Sequence, residues 1–213
     1  MSIEDLVDIV HNIFRYSGFV LKSHFRKVDR TPSCGAAYGS GSWIDAPISL
    51  EQLRVERHLR GAQLENKNLL HVGIGSSAIA RKFHRTCKHI DGITVMEEEL
   101  KHAQGLEISN YNVYLMNKYT DKIAALPNKY HYIVDTNLAS YTPSRSDLAA
   151  MVERYIALLE SGGMILTDRL GMHFHESYAF PIYDEDLIAF ERVLPVKFEK
   201  VNRSVRALVK IQA

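Results

Sequence analysis

Three groups of residues in this 213-residue chain have types and spacings that could carry chemistry. The first is Gly73-Ile74-Gly75-Ser76-Ser77, which follows the apolar run Leu69, Leu70 and Val72 and precedes a helix-compatible segment. Gly73 can take backbone angles closed to other residues, and Gly75 lets a ligand approach the main chain without a side chain intervening. A helix start behind such a turn offers unpaired N–H groups to a negatively charged group, and nucleotide-type cofactors bind there in open α/β sheets. The second group is Asp135 and Asn137, just past an apolar run at 130–135. A carboxylate and an amide in that place suit orienting a substrate or accepting its proton; Asp135 as a helix cap is the competing reading. The third is His173, His175 and Glu176. Imidazole titrates near neutrality and suits a general base or a substrate contact, and an ordinary surface role is equally open. The HxH spacing fits no helical pairing of metal ligands, so no metal is expected.

The elements that must position these residues follow from the apolar pattern. Segments at 69–73, 92–96, 112–116, 130–135 and 163–167 read as strands, separated by helical stretches near 77–88, 97–106, 119–126 and 144–160. That alternation predicts βαβ units and a mostly parallel sheet with helices on both faces. Two β-rich runs at 196–201 and 204–211, joined by Asn202-Arg203, predict a closing antiparallel hairpin, for seven strands in all. Ahead of the sheet, residues 3–16 place apolar side chains at helical spacing, and 49–63 reads as a helix opened by Ser49 and Gln52 as a capping box. Between them lies the glycine-rich loop 31–47 with the only tryptophan, Trp43, which either closes over a ligand or plugs the core. The expected organisation is an N-terminal helical cap over 1–63 and a ligand-binding α/β domain over 64–213.

Composition narrows the partners. Lys plus Arg, at 26, nearly cancels Asp plus Glu, at 25, which gives no global charge to draw nucleic acid or an anionic membrane. No apolar run approaches a membrane span, and the start lacks the pattern of a secretion signal. With two cysteines, Cys34 and Cys87, there is no disulfide framework, and a reducing, cytoplasmic setting is the plain expectation.

Five parallel strands after a glycine turn, ended by an antiparallel hairpin, resemble the Rossmann-like fold of the class I S-adenosylmethionine-dependent methyltransferases, over roughly residues 66–213. The turn Glu160-Ser161-Gly162-Gly163 into Met164–Asp168 is similar to that family's entry to its fifth strand. The resemblance implies S-adenosylmethionine as cofactor, held by the glycine turn with Ser76 and Ser77. His71 stands where the family has an acid two before the first glycine, and Ser77 where it often has a third glycine. Aligning Gly92-Ile93-Thr94 with the common second motif puts Thr94 at the ribose position, as in the cyclopropane-fatty-acid-synthase-like branch. Glu97 or Glu98 would then supply the carboxylate, while Glu99 serves the helix dipole. Asn117 falls where an acid commonly accepts from the adenine amino group, which an amide oxygen can also do. The strand-four end, with Asp135 and Asn137, and the segment with His173 and His175 would face the transferable methyl group. Asp135 and Asp168 roughly match two ligands of the cation-dependent catechol-type enzymes, but Arg169 replaces the third and disfavours a dication.

The resemblance implies methyl transfer, and the balanced charge points to a small-molecule acceptor, without nucleic acid or membrane, with a homodimer left open. Three alternatives stay beside it: another transfer from the same cofactor such as aminopropyl transfer, a non-catalytic binding protein of the same fold, and a nicotinamide-dependent oxidoreductase.

Overall fold

The computed structural model describes residues 43–142, 144–172 and 181–211. The helix expected over 3–16, most of the glycine-rich loop, and His173 and His175 lie outside the described residues.

One seven-stranded sheet organises the chain, in the order β3-β2-β1-β4-β5-β7-β6. Its strands are β1 (Asn68–Val72), β2 (His89–Thr94), β3 (Tyr111–Leu115), β4 (Tyr130–Val134), β5 (Leu159–Asp168), β6 (Val196–Lys200) and β7 (Val205–Lys210). The first five run parallel, and β7 pairs antiparallel with both β5 and β6, as the alternation and the closing hairpin predict. The order reverses between β1 and β4. Ligands in open α/β sheets sit beyond the carboxyl ends of the strands at such a reversal.

Helices cover both faces because the central strands are apolar on both sides. On one face α1 (Leu50–Gly61), α2 (Ala78–Phe83) and α3 (Glu97–Gln104) bury Val55, Leu59, Ile79, Phe83 and Ala103 against Leu69, Ile90, Val134 and Leu166. On the other, α4 (Arg145–Leu158) and a 3-10 turn (Asp121–Ala125) pack Leu148, Met151, Tyr155 and Ile123 against Leu70, Ile133, Ile165 and Leu208. Among the described residues no helix is long and apolar enough to cross a membrane. Ser49 caps α1, its hydroxyl accepting from Gln52 N–H at 3.2 Å. The side chain of Gln52, expected to complete a capping box, donates through Nε2 to Glu56 at 2.8 Å.

Several boundaries differ from the pattern for local reasons. Strand β2 begins at His89, ahead of the expected 92, because its polar start is satisfied inside the fold. Buried Asp91 accepts from His89 Nε2 at 2.9 Å, Asn128 Nδ2 at 2.8 Å and Tyr130 OH at 2.6 Å. Helix α2 stops at Phe83, short of 88, where Asn110 Nδ2 donates to the carbonyls of His84 and Cys87. Two helices had no counterpart in the pattern: α5 (Arg169–Met172) and α6 (Asp184–Glu191). Asp186 opens α6 by accepting from Tyr183 N–H at 2.9 Å. Strand β5 is longer than 163–167, and Gly163 in it allows a main-chain approach that a Cβ would block, 2.8 Å from Tyr130 O.

The Asp91 cluster lies toward the start of β2, away from the carboxyl ends of the strands. Asp91→Ala strands the buried Tyr130 hydroxyl and is expected to cost about 1–3 kcal/mol of stability. Thermal melting checks this, and an unchanged midpoint would show that the cluster is not stabilising.

Candidate functional site

A cavity of about 220 Å³ opens at the carboxyl ends of β1, β2, β3 and β4, where the strand order reverses. The glycine turn forms its floor. Gly73 and Gly75 hold φ of +72° and +49°, which side-chain-bearing residues rarely adopt. Of the residues proposed from sequence, Gly73, Gly75, Ser76, Thr94, Asn117, Asp135 and Asn137 all line the cavity. His71, Ser77 and Glu97 do not.

Each of those three has a different environment. His71 is buried on β1 on the side of the sheet covered by α1 and α2, and its Nδ1 has no partner among the described residues. Burial pushes its pKa down from 6.5 to about 3, so it is neutral near pH 7. Ser77 takes a left-handed backbone, φ +58°, and its hydroxyl meets Tyr111 OH at 3.1 Å beneath the turn. Glu97 is exposed to solvent. It therefore does not supply a carboxylate to the cavity.

Glu99 supplies one instead. Expected to serve only the helix dipole, it is buried and lines the cavity. Its Oε2 accepts from Thr94 Oγ1 at 2.6 Å and its Oε1 from the Trp43 backbone N–H at 3.0 Å. Thr94 Oγ1 in turn accepts from Met96 N–H at 3.0 Å. The one hydroxyl hydrogen of Thr94 is thereby used on Glu99, so Thr94 aims the carboxylate and does not itself donate to a ligand. An ionised carboxylate has about four acceptor positions, and the described residues fill two of them. The sequence carried one sign of this: Glu99 stands four residues before buried Ala103, on the inward face of α3. Trp43 lines the cavity as well, with its Cβ against Gly75, which places the end of the glycine-rich loop over the turn.

The far wall is built on an ion pair. Lys118 Nζ donates to Asp135 Oδ2 at 2.9 Å, the carbonyls of Asn137 and Leu138 at 3.0 Å each, and Ser140 Oγ at 3.3 Å. An ammonium has three hydrogens, so these four acceptors leave none for a ligand. Burial pushes the Lys118 pKa down, and the Asp135 charge opposes that shift. Asp135 Oδ2 also accepts from Tyr155 OH at 3.1 Å. That oxygen is fixed by two donors and holds Lys118 in place. Asn117 is oriented by its backbone, its Oδ1 accepting from Tyr119 N–H at 2.9 Å, while Nδ2 is buried without a partner among the described residues.

At the end of β5, buried Asp168 pairs with Arg54 of α1 at 3.4 Å, and neighbouring Arg169 is exposed. Burial raises the Asp168 pKa, opposed by the Leu170 N–H and by Arg54.

No family model matches the sequence, and no curated protein matches it either. Solved structures do match in three dimensions. The N-methyltransferase NodS from Bradyrhizobium japonicum, in complex with S-adenosyl-L-homocysteine, superposes with TM-score 0.60 at 12% identity, over 79% of this chain and 93% of that one. Magnesium protoporphyrin IX methyltransferase from Synechocystis, with bound S-adenosylmethionine, gives 0.58 at 14% identity over 98% of each chain. An rRNA methylase from Streptococcus thermophilus gives 0.51 at 11% identity, over 75% of this chain and 96% of its own. The chain has the Rossmann-like fold of the class I methyltransferases.

Two consequences are measurable. Lys118→Met leaves the Asp135 carboxylate buried and uncompensated, and is expected to lower stability by about 3–5 kcal/mol. Adding Asp135→Asn should recover part of that loss in chemical denaturation; a double variant no better than the single one would show that the pair is not coupled. For His71, the unfolded chain binds a proton below pH 6.5 that the folded chain refuses until about pH 3. Stability from this residue is therefore present at neutral pH and falls on acidification through that window. Asp168, with its raised pKa, works in the opposite sense as it protonates. His71→Met should flatten the decline of the denaturation midpoint between pH 6.5 and 4 relative to wild type.

Proposed function

We propose that this protein transfers a methyl group from S-adenosylmethionine to a small-molecule acceptor. The observation that carries the reading is the buried Glu99 carboxylate, aimed by Thr94 and lining the same cavity as the positive-φ turn at Gly73 and Gly75. A ribose presents two adjacent hydroxyl donors, and Glu99 has two acceptor positions left for them. The turn leaves room for the cofactor's main body, and Asn117 holds a buried amide nitrogen with no partner among the described residues. These residues fit the cofactor. When bound, it supplies an electrophilic methyl sulfonium; the protein's part is to align the acceptor with it and exclude water.

Asp135, first considered as a proton acceptor, serves better as a positioning residue. Through Lys118 it holds the Asn137 and Leu138 carbonyls and thereby shapes the loop after β4. Thr136, Asn137, Ser140 and Tyr141 give that side of the cavity a polar but uncharged lining. Lys118, its cation, is already saturated by protein acceptors. Such a wall suits a neutral small molecule better than a polyanion, in keeping with the balanced charge of 26 basic and 25 acidic residues. Proton removal from the acceptor falls to His173 or His175, unless the acceptor arrives with a free electron pair.

Calorimetry with S-adenosylhomocysteine and with NAD, on wild type, Glu99→Gln and Gly73→Val, tests the reading. S-adenosylhomocysteine should bind, Gly73→Val should abolish binding, and Glu99→Gln should weaken it by about 10–100-fold, the worth of hydrogen bonds to a charged group. Glu97→Gln should change nothing. Trp43, the only tryptophan, should report binding through its fluorescence. Binding of NAD alone, or of neither ligand, would overturn the assignment.

A further inference from the structure

The near balance of 26 basic and 25 acidic residues holds for the chain as a whole but not along it. Between Arg54 and His89 eight lysines and arginines stand against two acids, Glu56 and Glu65. The fold gathers this excess on one face. Helices α1 and α2 pack on the same side of the sheet, and an ion pair between Lys82 and Glu56 bridges them. Arg60 lies one turn on from Glu56 and Arg85 one turn on from Lys82, while Arg57 and Arg81 adjoin the bridge in sequence. These four arginines and Lys88 are exposed and form no ion pair among the described residues. The Lys88 N–H donates to the Lys67 carbonyl at 2.9 Å, which extends the basic surface to the strand starts. There the pKa of His131 is lowered by burial and by the charges of Lys67 and Lys88, against the opposing charge of Glu160.

None of these basic residues lines the cavity. Helix α1 begins beside it, after Ser49, and α2 begins behind the glycine turn, so the cations gather toward the far ends of both helices. The exposed large apolar side chains among the described residues, from Leu115 to Ile211, all lie elsewhere in the chain, and Phe83 of α2 is buried. The face therefore lacks an anchor for a bilayer, an apolar centre for a protein partner and a platform for stacking an unpaired base. What it offers is guanidinium forks, whose planar donors match phosphate oxygens. We propose that this face docks the phosphate backbone of a nucleic-acid duplex, responding to charge and not to sequence. The proposal stands apart from the methyl-transfer reading, since it uses no residue of the cavity.

Fluorescence anisotropy on the full chain, with a labelled mixed-sequence duplex of about 20 base pairs as DNA and as RNA, tests it. Wild type should bind with a dissociation constant of about 1–100 µM near physiological salt, and affinity should fall steeply as salt rises. Arg57→Glu with Arg60→Glu, and Arg81→Glu with Arg85→Glu, should each weaken binding by about tenfold or more and flatten the salt dependence, with thermal melting unchanged. Lys122→Glu with Arg192→Glu makes the same change in net charge beside Ile123 and Phe190, which pack on the opposite side of the sheet. That control should cost less than about threefold, because distant exposed charges are screened. Where a glutamate pair melts early, Arg57→Gln with Arg60→Gln or Arg81→Gln with Arg85→Gln replaces it, with a loss of about threefold or more expected. Binding of the DNA or the RNA duplex alone would support the proposal and name its source. An equal loss in the control would reduce the effect to net charge and overturn the proposal. So would the absence of duplex binding at about 100 µM protein in low salt, or a single strand bound about tenfold more tightly than the duplex. Phosphatidylserine vesicles bound in place of the duplex would overturn it as well.

Discussion

The buried Lys118 ammonium is the interaction on which the cavity depends. It leaves the chain just after β3 and is held by four oxygens that all follow β4: Asp135 Oδ2, the carbonyls of Asn137 and Leu138, and Ser140 Oγ. The strands β3 and β4 are not neighbours, because β2 and β1 lie between them. One cation thus ties together the outer loops of a four-strand span and fixes the width of the space above β1 and β2. Taking a charge out of water is expensive, and it is tolerated here because every hydrogen of the ammonium finds an acceptor, one of them ionised. An arginine could not do the same, since its planar fork cannot converge on acceptors clustered around a point.

With that frame set, the polar residues of the cavity take complementary roles. Thr94 and the Trp43 N–H converge on Glu99 from the β2 end and from the loop preceding α1. Tyr111 and Ser77 meet beneath the glycine turn and fix the start of α2. The turn, the carboxylate and the covering loop are therefore coupled through hydrogen bonds to main-chain and hydroxyl groups.

The fold was legible in the sequence to a large degree because parallel strands buried on both faces read as continuous apolar runs, and the glycine turn marks the first crossover. What sequence could not show was set by contacts distant along the chain. Helix α2 ends where Asn110 reaches back across 26 residues to His84 O. The polar opening of β2 is a strand because Asn128 and Tyr130 satisfy Asp91 from a separate segment. For the site, position was easier to read than role. Thr94, Asn117 and Asp135 all reach the cavity, yet each hydroxyl, amide or carboxylate is partly spent on a protein partner that only folding brings near. Glu99 was passed over for the same reason. Three consecutive glutamates at a helix start look alike until the packing of α3 turns one of them inward.

The departures from the resembled family form a pattern once placed in space. His71, Thr94 and Asn117 each stand where that family commonly has an acid, and each is uncharged: the imidazole because burial holds its pKa to about 3, the others by nature. Carboxylates at all three positions, together with Glu99 and Asp135, would crowd negative charges at one end of the sheet, and like charges in a low-dielectric site drive each other toward protonation. The chain keeps two. Asp135 is neutralised locally by Lys118, while among the described residues Glu99 receives dipolar donors, a hydroxyl and a backbone N–H. Moving the acid from the end of β2 to the first turn of α3 places it within reach of the Trp43 main chain. The same carboxylate that lines the cavity thus also holds the loop beside the glycine turn.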